Sequence, residues 1–130
     1  DNNFTDENGN FMQVGGVGKL YSSHSDNGGL SWNPPKKTSL WGQPPHLLRI
    51  NKNLIMCTYG YRKKPYEIKA AFSSDDGLSW GDEIIIRSGA SGWDIGYPSS
   101  IMLSKTKILT TYYFYEDDLI RYISGTIWEI

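Results

Sequence analysis

At 130 residues and 38% hydrophobic content the chain suffices for the core of one domain, and its 13 basic residues balance its 14 acidic ones. No basic run exceeds pairs such as Lys36-Lys37 and Lys63-Lys64, and no apolar stretch approaches the ~20 residues of a membrane span, which argues against a nucleic-acid or membrane partner. Nine Tyr, five Trp and four Phe beside fourteen Gly favour β structure. The single Cys57 lies in an apolar run, where it reads as a small buried hydrophobe and not as a staple. No signal-peptide pattern is visible, and a chain starting at Asp1 without Met reads as processed or as a piece of something longer.

Taken in order, residues 1–10 are polar with Asn8-Gly9-Asn10 as a turn signal, and read as a loose arm or hairpin tip. Gly15-Gly16-Val17-Gly18 precedes a β run, not a helix, so it reads as a flexible turn and not as a phosphate loop. Strands are expected over Lys19–Ser25 and, after the Asn-Pro-Pro-Lys-Lys loop, near Thr38–Trp41. Gly42-Gln43-Pro44-Pro45 breaks the chain. A clear unit follows, with strands His46–Ile50, Leu54–Tyr61, Ile68–Ser73 and Glu83–Arg87. Ser99–Leu103, Ile108–Tyr115 and about Leu119–Ile127 complete the chain as three more strands. The fold class is all-β, built from antiparallel strands.

Two similar stretches punctuate this pattern. Ser73-Ser74-Asp75-Asp76-Gly77-Leu78-Ser79-Trp80 joins two strands, and Ser25-Asp26-Asn27-Gly28-Gly29-Leu30-Ser31-Trp32 repeats it, Asn27 standing where the second copy has Asp75. Gly77 permits positive φ, the Asx side chains bond nearby N–H groups, and Trp80 can fold back as an apolar plug. The two tryptophans lie 48 residues apart, within the range of stacked repeats. A second alignment supports the repeat: Pro45, Ile50, Lys52, Ile55, Thr58 and Tyr59 each recur in kind 53 residues on, as Pro98, Leu103, Lys105, Ile108, Thr111 and Tyr112.

Ser-x-Asp-x-Gly-x-Ser-Trp resembles the Asp-box of the BNR repeats of the sialidase (neuraminidase) superfamily. The resemblance implies a β-propeller of four-stranded antiparallel blades, of which this chain covers about two and a half, similar to the C-terminal half of the six-bladed sialidase ring. Residues 1–41 then hold a polar arm and half a blade with the first Asp-box, 42–90 a complete blade with the second, and 91–130 a third blade lacking its outer strand. Ser25, Asn27, Gly29, Trp32, Ser73, Asp75, Gly77 and Trp80 are structural in this reading.

Alternate connections of such a blade fall on opposite faces. The face away from the Asp-boxes gathers Pro44, Pro45 and His46; Tyr59, Tyr61, Arg62, Lys63, Tyr66 and Glu67; Trp93, Asp94 and Tyr97; and Tyr113, Tyr115, Glu116 and Asp117. Such an aromatic, charged mouth suits a polyhydroxylated ligand. Gly96-Tyr97-Pro98-Ser99-Ser100-Ile101 resembles the sialidase segment that carries the nucleophilic Tyr, with Pro98 extra relative to the usual Tyr-Ser-Ser. A phenol near its ordinary pKa of about 10 needs a carboxylate to take its proton, for which Glu116 and Glu67 are candidates. Arg62 is placed to clamp a substrate carboxylate. Asp94 reads as an acid, a hydroxyl ligand or a loop cap, and His46, Tyr59, Tyr61, Trp93 and Tyr115 as substrate contacts. A Tyr97 that merely packs at a strand edge is the competing reading.

The family's three arginines cannot be drawn from one copy, since Arg49 falls towards the Asp-box face, Arg87 ends an outer strand and Arg121 lies in a third strand. The expected function is a sialidase-like glycoside hydrolase segment, active once its ring is completed. The alternatives are a non-catalytic carbohydrate-binding or assembly module, or an inactive remnant. His24 and His46 have no partner at metal-ligand spacing, so neither a metal nor a cofactor is expected. The partners expected are a carbohydrate and either a second copy of the chain or missing blades on another polypeptide. The resemblance implies a secreted or periplasmic location.

Overall fold

The computed structural model describes residues 18–117 and 120–130, together with the backbone of two short strands, β1 (Asn3–Thr5) and β2 (Phe11–Gln13). β1 and β2 pair antiparallel, while the Asn8-Gly9-Asn10 turn signal and most of Gly15–Gly18 lie outside the described residues. The remaining strands form three antiparallel sheets: β3 (Lys19–Ser22) with β4 (Lys36–Trp41); β5 (Pro45–Asn51), β6 (Leu54–Tyr61), β7 (Glu67–Ser73) and β8 (Ile84–Arg87) in sequential order; and β9 (Gly96–Met102), β10 (Lys107–Phe114) and β11 (Tyr122–Glu129), likewise sequential. The fold is all-β, with no helix among the described residues.

Period-two alternation builds the layers, because successive side chains of a strand point to opposite faces. On β6, Cys57 and Tyr59 point to the β3–β4 sheet and share a core with Leu20, Leu40 and Ala71. The intervening Met56 points the other way, meeting Ala70 and Ile108, with Leu48, Phe72, Met102 and Trp128 around them. Ile68, Ile95, Tyr112, Phe114 and Tyr115 make a third cluster that joins the same two sheets at one end. The four-stranded sheet is therefore covered on both faces, which is why β6 and β7 read as nearly continuous apolar runs. A polar chain crosses the second interface: the Thr58 and Ser100 hydroxyls lie 3.4 Å apart, Ser100 and Thr110 2.9 Å apart, and Trp128 Nε1–H donates to Thr110 Oγ1 at 3.0 Å.

At one end the sheets approach backbone to backbone. A Cβ on Gly60 would lie 3.0 Å from Gln43 O, Gly96 Cα and Ile95 O, so only glycine lets the loop before β9 lie directly on β6. Some strand limits differ from those expected from the sequence. β3 stops at Ser22, since Ser23 turns its hydroxyl onto Asn33 O, and Glu67 belongs to β7 and not to a loop. β9 starts at Gly96, three residues early, because a bulge pairs Gly96 with Tyr113. β11 begins at Tyr122; Leu119 lies outside the described residues.

Candidate functional site

The two Ser-x-Asx turns adopt one hydrogen-bond scheme. Gly77 N–H donates to Ser73 Oγ at 2.8 Å, as Gly29 N–H does to Ser25 Oγ at 2.8 Å. Ser79 N–H donates to Asp75 Oδ1 at 2.9 Å, as Ser31 N–H does to Asn27 Oδ1 at 3.0 Å. The second bond to the turn's last serine reverses: Ser79 donates its hydroxyl to the Asp75 carboxylate, whereas Asn27 Nδ2–H donates to Ser31 Oγ. Asp76 and Gly77 (φ 56° and 85°) repeat the left-handed pair Gly28 and Gly29 (72° and 88°). The hydrogen bonds from Ser79, with that from Ser73, hold the Asp75 carboxyl down at about 2. These side chains make their hydrogen bonds within the turns that they brace. Trp80 packs on the first core cluster as expected, but Trp32 is 65% exposed and plugs nothing.

The opposite end of the sheets carries a different cluster. Arg62 closes β6, its Nε–H donating to Ile95 O at 2.9 Å and Nη2 to the Tyr113 hydroxyl at 3.1 Å. Tyr113 in turn donates to Asp94 Oδ1 at 2.6 Å, and Arg121 Nε–H to Asp94 Oδ2 at 2.9 Å. The Arg62 guanidinium lies 5.8 Å from the Trp93 ring centroid and 5.7 Å from that of Tyr97, and its Nη1 makes no hydrogen bond to a described residue. The Tyr97 and Tyr113 rings pack at 5.8 Å. Tyr97 sits at φ 48°, in the left-handed region that a bulky residue enters at a cost of about 1–2 kcal/mol; there its ring is 66% exposed beside that of Tyr113.

Electrostatics follow from these contacts. The Tyr113 hydrogen bond, opposed by burial and aided by Arg121, keeps the Asp94 carboxyl below the ordinary range. Burial, reinforced by Asp94, pushes the Tyr113 phenol up to about 12, so at neutral pH the pair is a phenol donating to a carboxylate. Two guanidiniums face one carboxylate, and two aromatic faces flank one of the cations. The arrangement can stack against apolar faces of a ligand and donate to its oxygens.

The structure brings together Arg62, Asp94, Trp93 and Tyr97 of the residues expected from the sequence, and separates others. Tyr59 is fully buried, its hydroxyl donating to Glu83 at 2.6 Å: it faces the β3–β4 sheet by strand parity and is core, not a ligand contact. Tyr115 is 7% exposed beneath the Arg121 guanidinium, 4.2 Å from its ring centroid. Tyr61 is covered by Lys69 Nζ at 3.7 Å and by the edge of Trp41. His46 accepts from Ser100 N–H at 3.4 Å between two sheets. Of the two bases considered for Tyr97, Glu116 pairs with Arg87 at 2.6 Å and Glu67 is buried beside Lys69 at 3.5 Å; neither bonds Tyr97.

Tyr113 and Arg121 are the members that sequence reasoning did not assign a role. Tyr113 was among the aromatics expected on this face, and the signal that singles it out is the repeat itself: 53 residues earlier stands Gly60, so a phenol replaces a hydrogen at the crowded end of the central strand. No metal-binding group of three or more His, Cys, Asp or Glu occurs among the described residues.

No family model and no curated protein matches the sequence. The chain is similar to a solved structure described as a protein of unknown function from Dyadobacter fermentans DSM 18053, at 31% identity and a TM-score of 0.80. The match covers 92% of this chain and 34% of that one, so the chain spans about a third of the length of the protein it resembles.

Proposed function

We propose that the three stacked sheets are successive blades of an Asp-box β-propeller and that the Arg62–Trp93–Tyr97 cluster binds carbohydrate. The observation that carries this reading is the pair of half- to two-thirds-exposed rings, Trp93 and Tyr97, packed against one guanidinium whose Nη1 bonds no described residue. Aromatic faces suit the C–H surfaces of a sugar, and Arg62 and Asp94 suit its hydroxyl or acidic groups. The left-handed backbone at Tyr97 supports the same reading, since strain of this kind clusters where a side chain is held for use. Calorimetric titration of an oligosaccharide panel, acidic and neutral, tests it: binding weakened by Trp93→Ala or Tyr97→Ala in a folded protein is expected, and a panel with no binder refutes it.

A second reading, glycoside hydrolysis of the sialidase type, draws support from the Tyr113–Asp94 hydrogen bond beside Arg62. A phenol oxygen would attack the anomeric carbon as its proton passes to a carboxylate, and the leaving alcohol departs protonated by a second acid. Tyr97 is the exposed phenol, its ring packed against that of Tyr113, and Asp94 is the carboxylate of the cluster, bonded to Tyr113. Turnover of a fluorogenic sialoside, abolished in Tyr97→Phe with binding retained, is the outcome this reading requires.

A further inference from the structure

The first Ser-x-Asx turn holds the dipeptide Asn27-Gly28, and both residues are exposed. Such a pair is chemically labile, because glycine has no side chain to shield its nitrogen from the amide carbon of the residue before it. Here the space beside Gly28 is open, a Cβ there meeting nothing within 4 Å, and the Gly28 N–H donates to no described residue. The turn also grips the amide itself. Asn27 Oδ1 accepts two hydrogen bonds, from the Ser25 hydroxyl at 3.0 Å and from Ser31 N–H at 3.0 Å. Two donors on one carbonyl oxygen draw electrons from Cγ and stabilise the negative charge that develops there under attack. Asn27 Nδ2 donates to Ser31 Oγ at 2.8 Å, so a hydroxyl able to protonate a departing nitrogen is already in contact with it. The second turn shows how a carboxylate is held in the same frame: Asp75 accepts from the Ser73 hydroxyl at 2.7 Å, from Ser79 N–H at 2.9 Å and from the Ser79 hydroxyl.

From this we infer that Asn27 is a site of spontaneous deamidation, at which the turn's own groups help convert the side chain into the aspartate that the second copy already carries. Gly28 N, its proton passing to a solvent base, bonds to Asn27 Cγ. The Cγ–Nδ2 bond breaks and the nitrogen leaves as ammonia, taking a proton from the Ser31 hydroxyl, which recovers one from water. Water then opens the cyclic imide. Attack at Cγ breaks its bond to Gly28 N and gives aspartate, whereas attack at the main-chain carbonyl gives isoaspartate. The net change is amide plus water to carboxylate plus ammonium, and nothing is oxidised or reduced. Donors that stay on the Cγ carbonyl direct water to that carbon. Isoaspartate would lengthen the main chain by a methylene between Ser25 and Gly29, which are joined by a hydrogen bond of 2.8 Å. Aspartate requires only that Ser31 turn its hydroxyl towards the carboxylate, as Ser79 does. The conversion adds one negative charge to a chain whose net charge is −1. This chemistry needs the turn alone, whatever the Arg62 cluster binds.

Ageing the purified chain in mildly alkaline buffer, folded and in urea, tests this. Ion exchange follows the added charge, and a peptide map by mass spectrometry separates position 27 from Asn8-Gly9, the same dipeptide earlier in the chain. Labelling by an isoaspartyl methyltransferase distinguishes the two products. In the folded chain position 27 should become mainly aspartate, and in urea mainly isoaspartate. Ser31→Ala, which keeps the main-chain donor and removes the hydroxyl, should slow the folded reaction about tenfold. Asn27→Asp, made directly, should melt no lower than the parent. An Asn27 that persists in the folded chain while it reacts in urea overturns the inference, since the turn then protects the amide. The same rate and the same isoaspartate excess in both conditions overturn it as well, because the turn then contributes nothing. A lower melting temperature for Asn27→Asp overturns the claim that the turn is built to accept the product.

Discussion

Trp32 and Trp80 hold the same place in two copies of one motif, so replacing each by Ala separates the motif from its burial. Trp80 packs against a cluster containing Leu20, Leu40, Cys57, Tyr59 and Ala71, while Trp32 is 65% exposed. A fully buried Trp truncated to Ala costs about 3–5 kcal/mol. Trp80 is only half-buried, and its indole N–H is enclosed without a partner among the described residues, so truncation also relieves an unpaired donor of about 1–3 kcal/mol. The expected net loss is about 2–3 kcal/mol for Trp80→Ala, a fall of roughly 10 °C in melting temperature, against less than about 0.5 kcal/mol for Trp32→Ala. Urea and thermal unfolding of both variants give the comparison. Equal losses would mean that the motif stabilises its turn locally whatever the tryptophan touches, and would refute the reasoning from burial.

Asp75→Asn should leave the fold intact, because Asn27 already makes the equivalent contacts in the first turn. The sign of its pH effect is fixed by the shift: a carboxyl lowered from 3.8 to about 2 contributes stability that is present above pH 3.8 and lost as pH falls towards 2. Acid unfolding of the variant should therefore lack that component in this window, and an unchanged acid limb would remove Asp75 from it. Gly60→Ala should destabilise by about 1–3 kcal/mol, since its Cβ meets backbone on three sides; an unchanged urea midpoint would show that the loop before β9 is free to lift. Trp93→Ala should weaken glycan binding about tenfold without lowering stability, the value of one aromatic contact, and unaltered affinity in titration would take Trp93 out of the site.

Much of the β architecture was legible because alternation and turn chemistry are local. Leu54–Tyr61 emerges with the bounds expected of it, and the two Ser-x-Asx turns form as their side chains dictate. The site was legible only in part, for two reasons. Parity along a strand says that Tyr59 and Gly60 face opposite ways, but not which way is buried; the sheet on each side decides that, and it sends Tyr59 inward to Glu83. Pairing of charges is likewise non-local: Glu116 goes to Arg87, and Asp94 to Tyr113 and Arg121, choices made by loop geometry across some 20 to 30 residues.

The cluster arises where the repeat departs from itself. At the end of β6 the sequence places Gly60, and the chain before β9 lies on it backbone to backbone, bringing Ile95 O within 2.9 Å of Arg62 Nε. At the corresponding point of β10 it places Tyr113, whose hydroxyl ties Arg62 to Asp94. The same repeat position thus serves differently in its two copies: glycine lets one sheet lie on the next, and tyrosine supplies the hydroxyl that joins Arg62 to Asp94. Beside it Tyr97, held in the left-handed region, faces solvent. The proposed carbohydrate site belongs to the tyrosine copy and not to the glycine one, because only there do polar groups and ring faces stay within reach of a ligand.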